Sequence, residues 1–156
     1  MDMTMKIGVI SDTHGLLKPE VIKALEISDY ILHAGDVGGP DVLKILLSLA
    51  PTRCVRGNMD GGSWSKKLPL SDMVELGGKF LYMVHDLDTL DIDPVSAGVA
   101  VVISGHTHRS ALWQDQGVLY LNPGSASYGR RGNPSSLAWI DISNGHIKPR
   151  IVSLES

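Results

Sequence analysis

The stretch Ile7-Gly8-Val9-Ile10-Ser11-Asp12-Thr13-His14 decides how the chain is read. A short apolar run reads as a buried strand, and it stops abruptly at a carboxylate and an imidazole. The pattern recurs. Tyr30 to Ala34 is stopped by Gly35-Asp36, Arg53 to Arg56 by Gly57-Asn58, Lys79 to Val84 by His85-Asp86, and Val99 to Ile103 by Gly105-His106-Thr107-His108. Open α/β folds hold their ligands at strand ends. Between the first three strands lie two helical patterns. One opens at Pro19 and runs to about Ile27, with Val21, Ile22 and Leu25 on its inner face; the other runs from Asp41 to Leu49, where Pro51 prevents continuation. This β-α-β-α-β order predicts parallel pairing with right-handed crossovers.

The second half changes character. Met73 to Leu76 and Lys79 to Val84 flank Gly77-Gly78, Ser110 to Trp113 and Val118 to Leu121 flank Gly117, and Leu137 to Ile142 and Ile147 to Val152 flank Asn144-Gly145. Each pair reads as a hairpin. An α/β half followed by a hairpin-rich half predicts two packed sheets with helices outside, in one domain spanning residues 1–156.

Composition excludes several classes. The net charge of -3 provides no basic field for a nucleic-acid or membrane surface. Cys54 is the only cysteine, so an intrachain disulfide and a thiolate-rich zinc site are both ruled out. No run approaches the length of a membrane span or a signal segment, which makes the cytoplasm the expected location.

Asp12, His14, Asp36, Asn58, His85, His106 and His108 are the metal-competent side chains at these strand ends. Singly, most have a plainer reading. Asp12-Thr13-His14 fits a turn with a surface histidine, Asn58 fits turn chemistry, and His85 fits a structural imidazole. His33, inside a strand, reads as a core group or one that orients a ligand. Gly105-His106-Thr107-His108 is sharper, with two imidazoles flanking one small residue directly after a buried strand. Seven donors exceed the four of a closed zinc site and suffice for two ions if one carboxylate bridges. Mixed imidazole and carboxylate donors suit manganese, iron or zinc better than calcium.

In this order, D-x-H, G-D, G-N, H and G-H-T-H resemble the calcineurin-like metallophosphoesterase superfamily, and within it the small single-domain bacterial and archaeal phosphoesterases. The resemblance runs from about Lys6 to Val152. It implies an α/β fold of two packed mixed β-sheets flanked by helices, a four-layer α/β/β/α sandwich. It also implies two divalent ions, manganese first, with iron, zinc, nickel or cobalt as alternatives. Asp36 would bridge them. Asp12, His14 and His108 would complete one site, and Asn58, His85 and His106 the other. The implied chemistry is hydrolysis of a small phosphate ester, phosphodiesters favoured, by a metal-bridging hydroxide in line with the leaving group. Asp36, Asn58 and His106 would then be catalytic.

Two departures from the family pattern stand out. Larger members carry His directly after the Asn, where this chain has Met59 followed by Asp60, so Asp60 becomes a candidate general acid. His85-Asp86 replaces the usual His-Gly, and the stretch from Asp86 to Ala100 reads as a short solvated loop with a turn begun by Pro94. The loop Asn122-Pro123-Gly124-Ser125 and the neighbouring Arg130-Arg131 resemble a phosphate-contacting region, which makes Asn122, Gly124, Ser125 and Arg130 candidate substrate contacts; Tyr128 is either a loop anchor or a wall of the site. A second function class is a protein-interaction scaffold, since the resemblance extends to a retromer subunit that uses this fold mainly in that way. A homo-oligomer is compatible with either.

Overall fold

The computed structural model describes residues 4–128 and 134–154. The opening run forms strand β1 (Thr4–Ile10). It is followed by α1 (Pro19–Leu25), β2 (Tyr30–His33), α2 (Pro40–Leu49), β3 (Thr52–Cys54), β4 (Ser71–Leu76), β5 (Lys79–Val84), β6 (Val99–Ile103), β7 (Ala111–Asp115), β8 (Val118–Asn122), β9 (Ser136–Ser143) and β10 (His146–Ser153). Two five-stranded mixed sheets result, ordered β10-β9-β1-β2-β3 and β4-β5-β6-β8-β7. In the first, β1, β2 and β3 run parallel and β9 lies antiparallel to β1. In the second, β5, β6 and β8 run parallel between antiparallel edge strands.

The two-residue period of a strand sorts the apolar side chains into layers. Ile7 and Val9 of β1 face the second sheet. There they join Leu32, Leu81, Met83, Val101, Ile103, Leu121 and Ile140 in the core between the sheets. Ile10 and Ile31 face the other way, against Val21 and Leu25 of α1 and Val42 and Leu46 of α2. Gly8 lets α1 sit close, since a Cβ there would come within 2.6 Å of Leu25 Cδ2. The outer face of the second sheet is covered more thinly. Leu87, Leu90 and Ile92, around a single 3-10 turn at Leu87–Thr89, pack on Tyr82, Val84 and Val102. The helical layer on that side is reduced to this turn and the turn that follows Pro94.

Several boundaries differ from the sequence reading. The first helix ends at Leu25, not Ile27, which is exposed. Strand β3 is Thr52–Cys54, not 53–56: Val55 N–H still reaches the His33 carbonyl at 3.1 Å, but Arg56 N–H turns to Pro69 at 2.8 Å. Of the hairpin strands, β5 keeps the bounds read, β7 is Ala111–Asp115 and not 110–113, and β4, β8, β9 and β10 run one or two residues longer than read. Their two-residue turns, Gly77-Gly78, Gln116-Gly117 and Asn144-Gly145, have positive φ at both positions, the geometry that suits a twisted hairpin. Among the described residues no helix is long and apolar enough to cross a membrane.

Candidate metal centre

The carboxyl ends of β1, β2, β3, β5 and β6 all meet at one edge of the sandwich, so the loops that follow them share one space. Backbone hydrogen bonds lock these loops together. Asp12 N–H donates to the Gly35 carbonyl, His14 N–H to Asp36 and Gly15 N–H to Val37, at 2.9, 2.9 and 2.7 Å. Gly105 N–H donates to the His85 carbonyl at 2.9 Å. Close approach depends on missing side chains. A Cβ at Gly57 would collide with the Asp36 carboxylate and amide, and one at Gly105 with Ser11 Oγ.

Asp12 is fully buried. Its Oδ2 accepts from Ser11 Oγ at 2.8 Å and from His106 N–H at 3.1 Å. Its Oδ1 has no hydrogen-bond partner, yet Nε2 of His108, His85 and His14 lie 3.4, 3.8 and 3.9 Å away. Asp36 Oδ1 accepts from Met59 N–H at 2.8 Å, and its Oδ2 lies 3.3 Å from His85 Nε2 and 4.0 Å from His14 Nε2. Asn58 Oδ1 sits 3.0 Å from His85 Nε2 and 3.2 Å from His106 Nδ1. His14 and His108 bring their Nε2 atoms to 3.2 Å. All seven expected donors therefore converge. Two sets within them, Asp12-His14-His108 and Asp12-Asp36-His85, are tight enough to hold an ion.

The electrostatics follow from burial and from these neighbours. Burial pushes the Asp12 carboxyl above the ordinary carboxylate range, despite the Ser11 hydroxyl and the imidazoles that pull it down. Burial also pushes Asp36 up, but hydrogen bonds from His85 and the Met59 amide outweigh it and hold Asp36 below its usual value. For His85 burial acts downward, and Asp36, the Ala34 carbonyl and Asp12 together raise it. His85 Nδ1 donates to the Ala34 carbonyl at 2.7 Å, since a carbonyl can only accept. Protonated, His85 also donates Nε2–H to Asp36 Oδ2; neutral, it presents an Nε2 lone pair to two carboxylate oxygens and an amide oxygen. So many converging lone pairs call for positive charge at their centre, and imidazole with carboxylate is a donor set suited to a divalent cation. His33 is a different case. It is fully buried, accepts from Gly35 N–H at Nδ1 and meets Thr13 Oγ1 at Nε2, 3.0 and 2.9 Å away, while Thr13 donates to Val37. Burial pushes its pKa down to about 3, so it is a neutral brace between the first two loops.

Several candidate residues are engaged in hydrogen bonds within the protein. Asp60 Oδ1 accepts from Gly38 N–H at 3.0 Å and Oδ2 from Gly57 N–H at 2.9 Å, so this carboxylate ties the loops after β2 and β3 together. Asn122, Gly124 and Ser125 are buried, and their polar groups are engaged within the protein. Asn122 Nδ2 donates to the Gly105 carbonyl at 2.9 Å, its Oδ1 accepts from Gly124 N–H at 2.9 Å, and Ser125 Oγ donates to the Asp12 carbonyl at 3.0 Å. Arg130 and Arg131 lie outside the described residues. Sequence reasoning missed Ser11, Thr13 and Ser127, whose hydroxyls secure the Asp12 loop; Ser127 Oγ donates to the Asp12 carbonyl at 2.9 Å. The only signal was hydroxyl residues on both sides of Asp12 and the Ser-Ala-Ser spacing at 125–127. The centre opens onto a cleft of about 490 Å³, with Met59, Ser127 and Tyr128 in its walls. A cavity of about 460 Å³ lies at the opposite end of the strands, by Thr4, Met5, Gly77 and Ile142, and holds no imidazole.

Residues 5–145 match the calcineurin-like phosphoesterase superfamily domain, and the chain belongs to that family. It is 36% identical over 143 residues to a probable metallophosphoesterase of Methanothermobacter thermautotrophicus, covering 84% of this chain and 83% of the relative. A solved archaeal phosphodiesterase superposes with a TM-score of 0.80 at 27% identity, over 96% of this chain and all of that one. Vps29 of Chaetomium thermophilum shares the fold, with a TM-score of 0.76 at 20% identity over 96% and 97% of the two chains.

Proposed function

We propose that the chain is a metal-dependent phosphodiesterase that uses two divalent cations. The observation that supports this most directly is Asp12 Oδ1, a buried carboxylate oxygen without a partner that faces the Nε2 atoms of three histidines. Asp12, His14 and His108 would hold one ion, and Asn58, His85 and His106 the other. Asp36 would serve both, because its Oδ2 lies between His14 and His85. Manganese is the expected occupant, with iron, zinc, nickel and cobalt admitted by the same donors. Such a pair of ions, when bound, acidifies water and neutralises charge on phosphoryl oxygens. The protein's own part is to hold the donors still. Met59 N–H orients Asp36, Ala34 orients His85, and Ser125 and Ser127 fix the Asp12 backbone. The Met59 side chain has no proton to give and Asp60 is engaged elsewhere, so esters of acidic alcohols should react fastest. The likeness to an archaeal phosphodiesterase favours diesters.

The test is release of nitrophenol from bis(p-nitrophenyl) phosphate and from p-nitrophenyl phosphate by metal-stripped protein given back manganese. Metal-dependent turnover, faster on the diester and lost in Asp36→Asn and His108→Ala, is the expected result. A folded protein that binds two equivalents of metal but turns over neither ester would instead favour an interaction scaffold. The likeness of fold to Vps29 and the exposure of Met59, Leu70 and Tyr128 (69%, 63% and 71%) are the observations on that side.

A further inference from the structure

We infer that the chain forms a two-fold dimer by pairing the open edge of β7 with the same strand of a second copy, antiparallel, with the axis through Leu112. Among the described residues four strand edges are open: β10 and β3 in the first sheet, β4 and β7 in the second. An open edge presents unpaired N–H and C=O groups, and charges, proline or short length normally guard it. Three of the four carry such guards. β10 has Pro149 between Lys148 and Arg150, β3 is three residues long, and β4 carries Glu75 and Asp72, the latter held by Arg53 at 2.8 Å. β7 reads Ala-Leu-Trp-Gln-Asp and has no guard before its last residue. Its Leu112 and Trp113 are 40% and 42% exposed.

The chemistry of the strand selects both occupant and register. β7 and β8 join through the two-residue turn Gln116-Gly117, with Asp115 opposite Val118, Trp113 opposite Tyr120 and Ala111 opposite Asn122. Residues flanking such a turn form a hydrogen-bonded pair, and these pairs alternate along the ladder. Leu112 and Gln114 therefore turn their N–H and C=O groups to the open edge. With the axis through Leu112, this residue exchanges bonds with its own copy, and Gln114 meets the second copy's Ser110. Trp113, whose ring stacks on Tyr120 at 5.2 Å, then faces the second copy's Ala111, a large side chain against a small one. Arg109 faces the second copy's Asp115, and by symmetry this happens twice. Neither of these side chains has an ion-pair partner among the described residues. Opposite charges across a strand pair stabilise it, and like charges do the reverse. An axis through Trp113 would serve the same backbone groups, but it would set Asp115 against Ala111 and crowd the two indoles. The charges thus favour the axis at Leu112.

Sedimentation equilibrium of the full chain at high micromolar concentration should show a species of twice the 16.8 kDa chain mass. Leu112→Lys sets two ammonium groups across the axis and should be monomeric, with native circular dichroism because the position is exposed. Arg109→Asp sets carboxylates opposite each other at both ends and should weaken the dimer roughly tenfold, and Asp115→Arg added to it should restore the native affinity. Cys54 is the only cysteine and is buried, so Leu112→Cys introduces the one accessible thiol. Directly opposed residues of a strand pair lie within disulfide reach, so mild oxidation should link Leu112→Cys into a covalent dimer faster than Trp113→Cys. A native chain that stays monomeric overturns the proposal and leaves the β7 edge to a strand of a different protein. A dimer that survives Leu112→Lys, a charge swap without recovery, or faster linking of Trp113→Cys overturns it as well.

Discussion

Asp12 shows how a single residue here is set for a ligand at the expense of the metal-free fold. Its Oδ1 is buried with nothing to accept from, and three imidazole nitrogens face it. Its backbone φ is 56°, in the left-handed region, as are His14 (48°), Asp36 (57°), His106 (74°) and His108 (63°). Among the other described residues only Gln116 and Asn144, both in hairpin turns, are non-glycines in that region. Each such position costs on the order of 1–3 kcal/mol, and clustering of this kind marks functional loops. Asp12→Asn keeps the shape and tolerates the same φ, but it exchanges the orphan acceptor for a donor facing histidine lone pairs. In EDTA at pH 8, urea unfolding should find it about 1–2 kcal/mol more stable than the native chain. Added manganese should stabilise the native chain more than the variant, which keeps only the site of Asp36, Asn58, His85 and His106. A variant less stable than the native chain in EDTA would contradict this account of Oδ1. The donors themselves were legible in the sequence, because each sits where an apolar run stops. The hydrogen-bond partners of Asp60, Asn122 and Ser125 were not. A carboxylate, an amide and a hydroxyl beside a ligand loop look the same in sequence whether they face substrate or a backbone amide twenty residues away. Only the tertiary hydrogen bonds separate the two.

At the scale of elements, the centre depends on loops from two sheets coming closer than side chains normally allow. Gly57 follows β3, and its Cα lies against the Asp36 loop. A Cβ there would meet the Asp36 carboxylate and amide, groups that cannot move without releasing the Met59 and His85 contacts. Gly57→Ala should therefore cost about 1–3 kcal/mol as an overpacked site. It should also weaken manganese binding, because Asp36 is the group displaced. Gly61→Ala, seven residues past the end of β3 with open space around it, is the control and should change neither. Equal behaviour of the two variants in thermal melts and metal titrations would sink the argument. The glycines beside Asp36 and Asn58 were visible as motif residues, but which loop each must clear was not. That depends on the pairing of β1 with β2 and β2 with β3, which brings residues 12, 36 and 58 side by side.

For the whole molecule, the division of labour is between a rigid sandwich and a strained rim. Leu81, Met83, Val101, Ile103 and Ile140 are fully buried between the sheets, and such side chains each contribute roughly 1.5–3 kcal/mol on burial. That core holds five left-handed backbone positions in register at its edge. The layered architecture was readable from strand and helix periods. The thin outer cover of the second sheet was readable only as a short polar stretch after His85, because Leu87, Leu90 and Ile92 are too widely spaced to announce a layer. If the rim is strained and rich in converging lone pairs while empty, cations that bind only the folded chain must stabilise all of it. A site at a hundred times its dissociation constant adds about 2.7 kcal/mol. For a chain of this size that is a rise in Tm of roughly 5–10 °C. Two sites should therefore raise Tm in two increments as manganese is titrated into EDTA-treated protein. His106→Ala should keep the increment carried by Asp12, His14 and His108 and lose the other. A Tm that stays the same from EDTA to millimolar manganese would mean that the convergence of these seven side chains serves something other than metal.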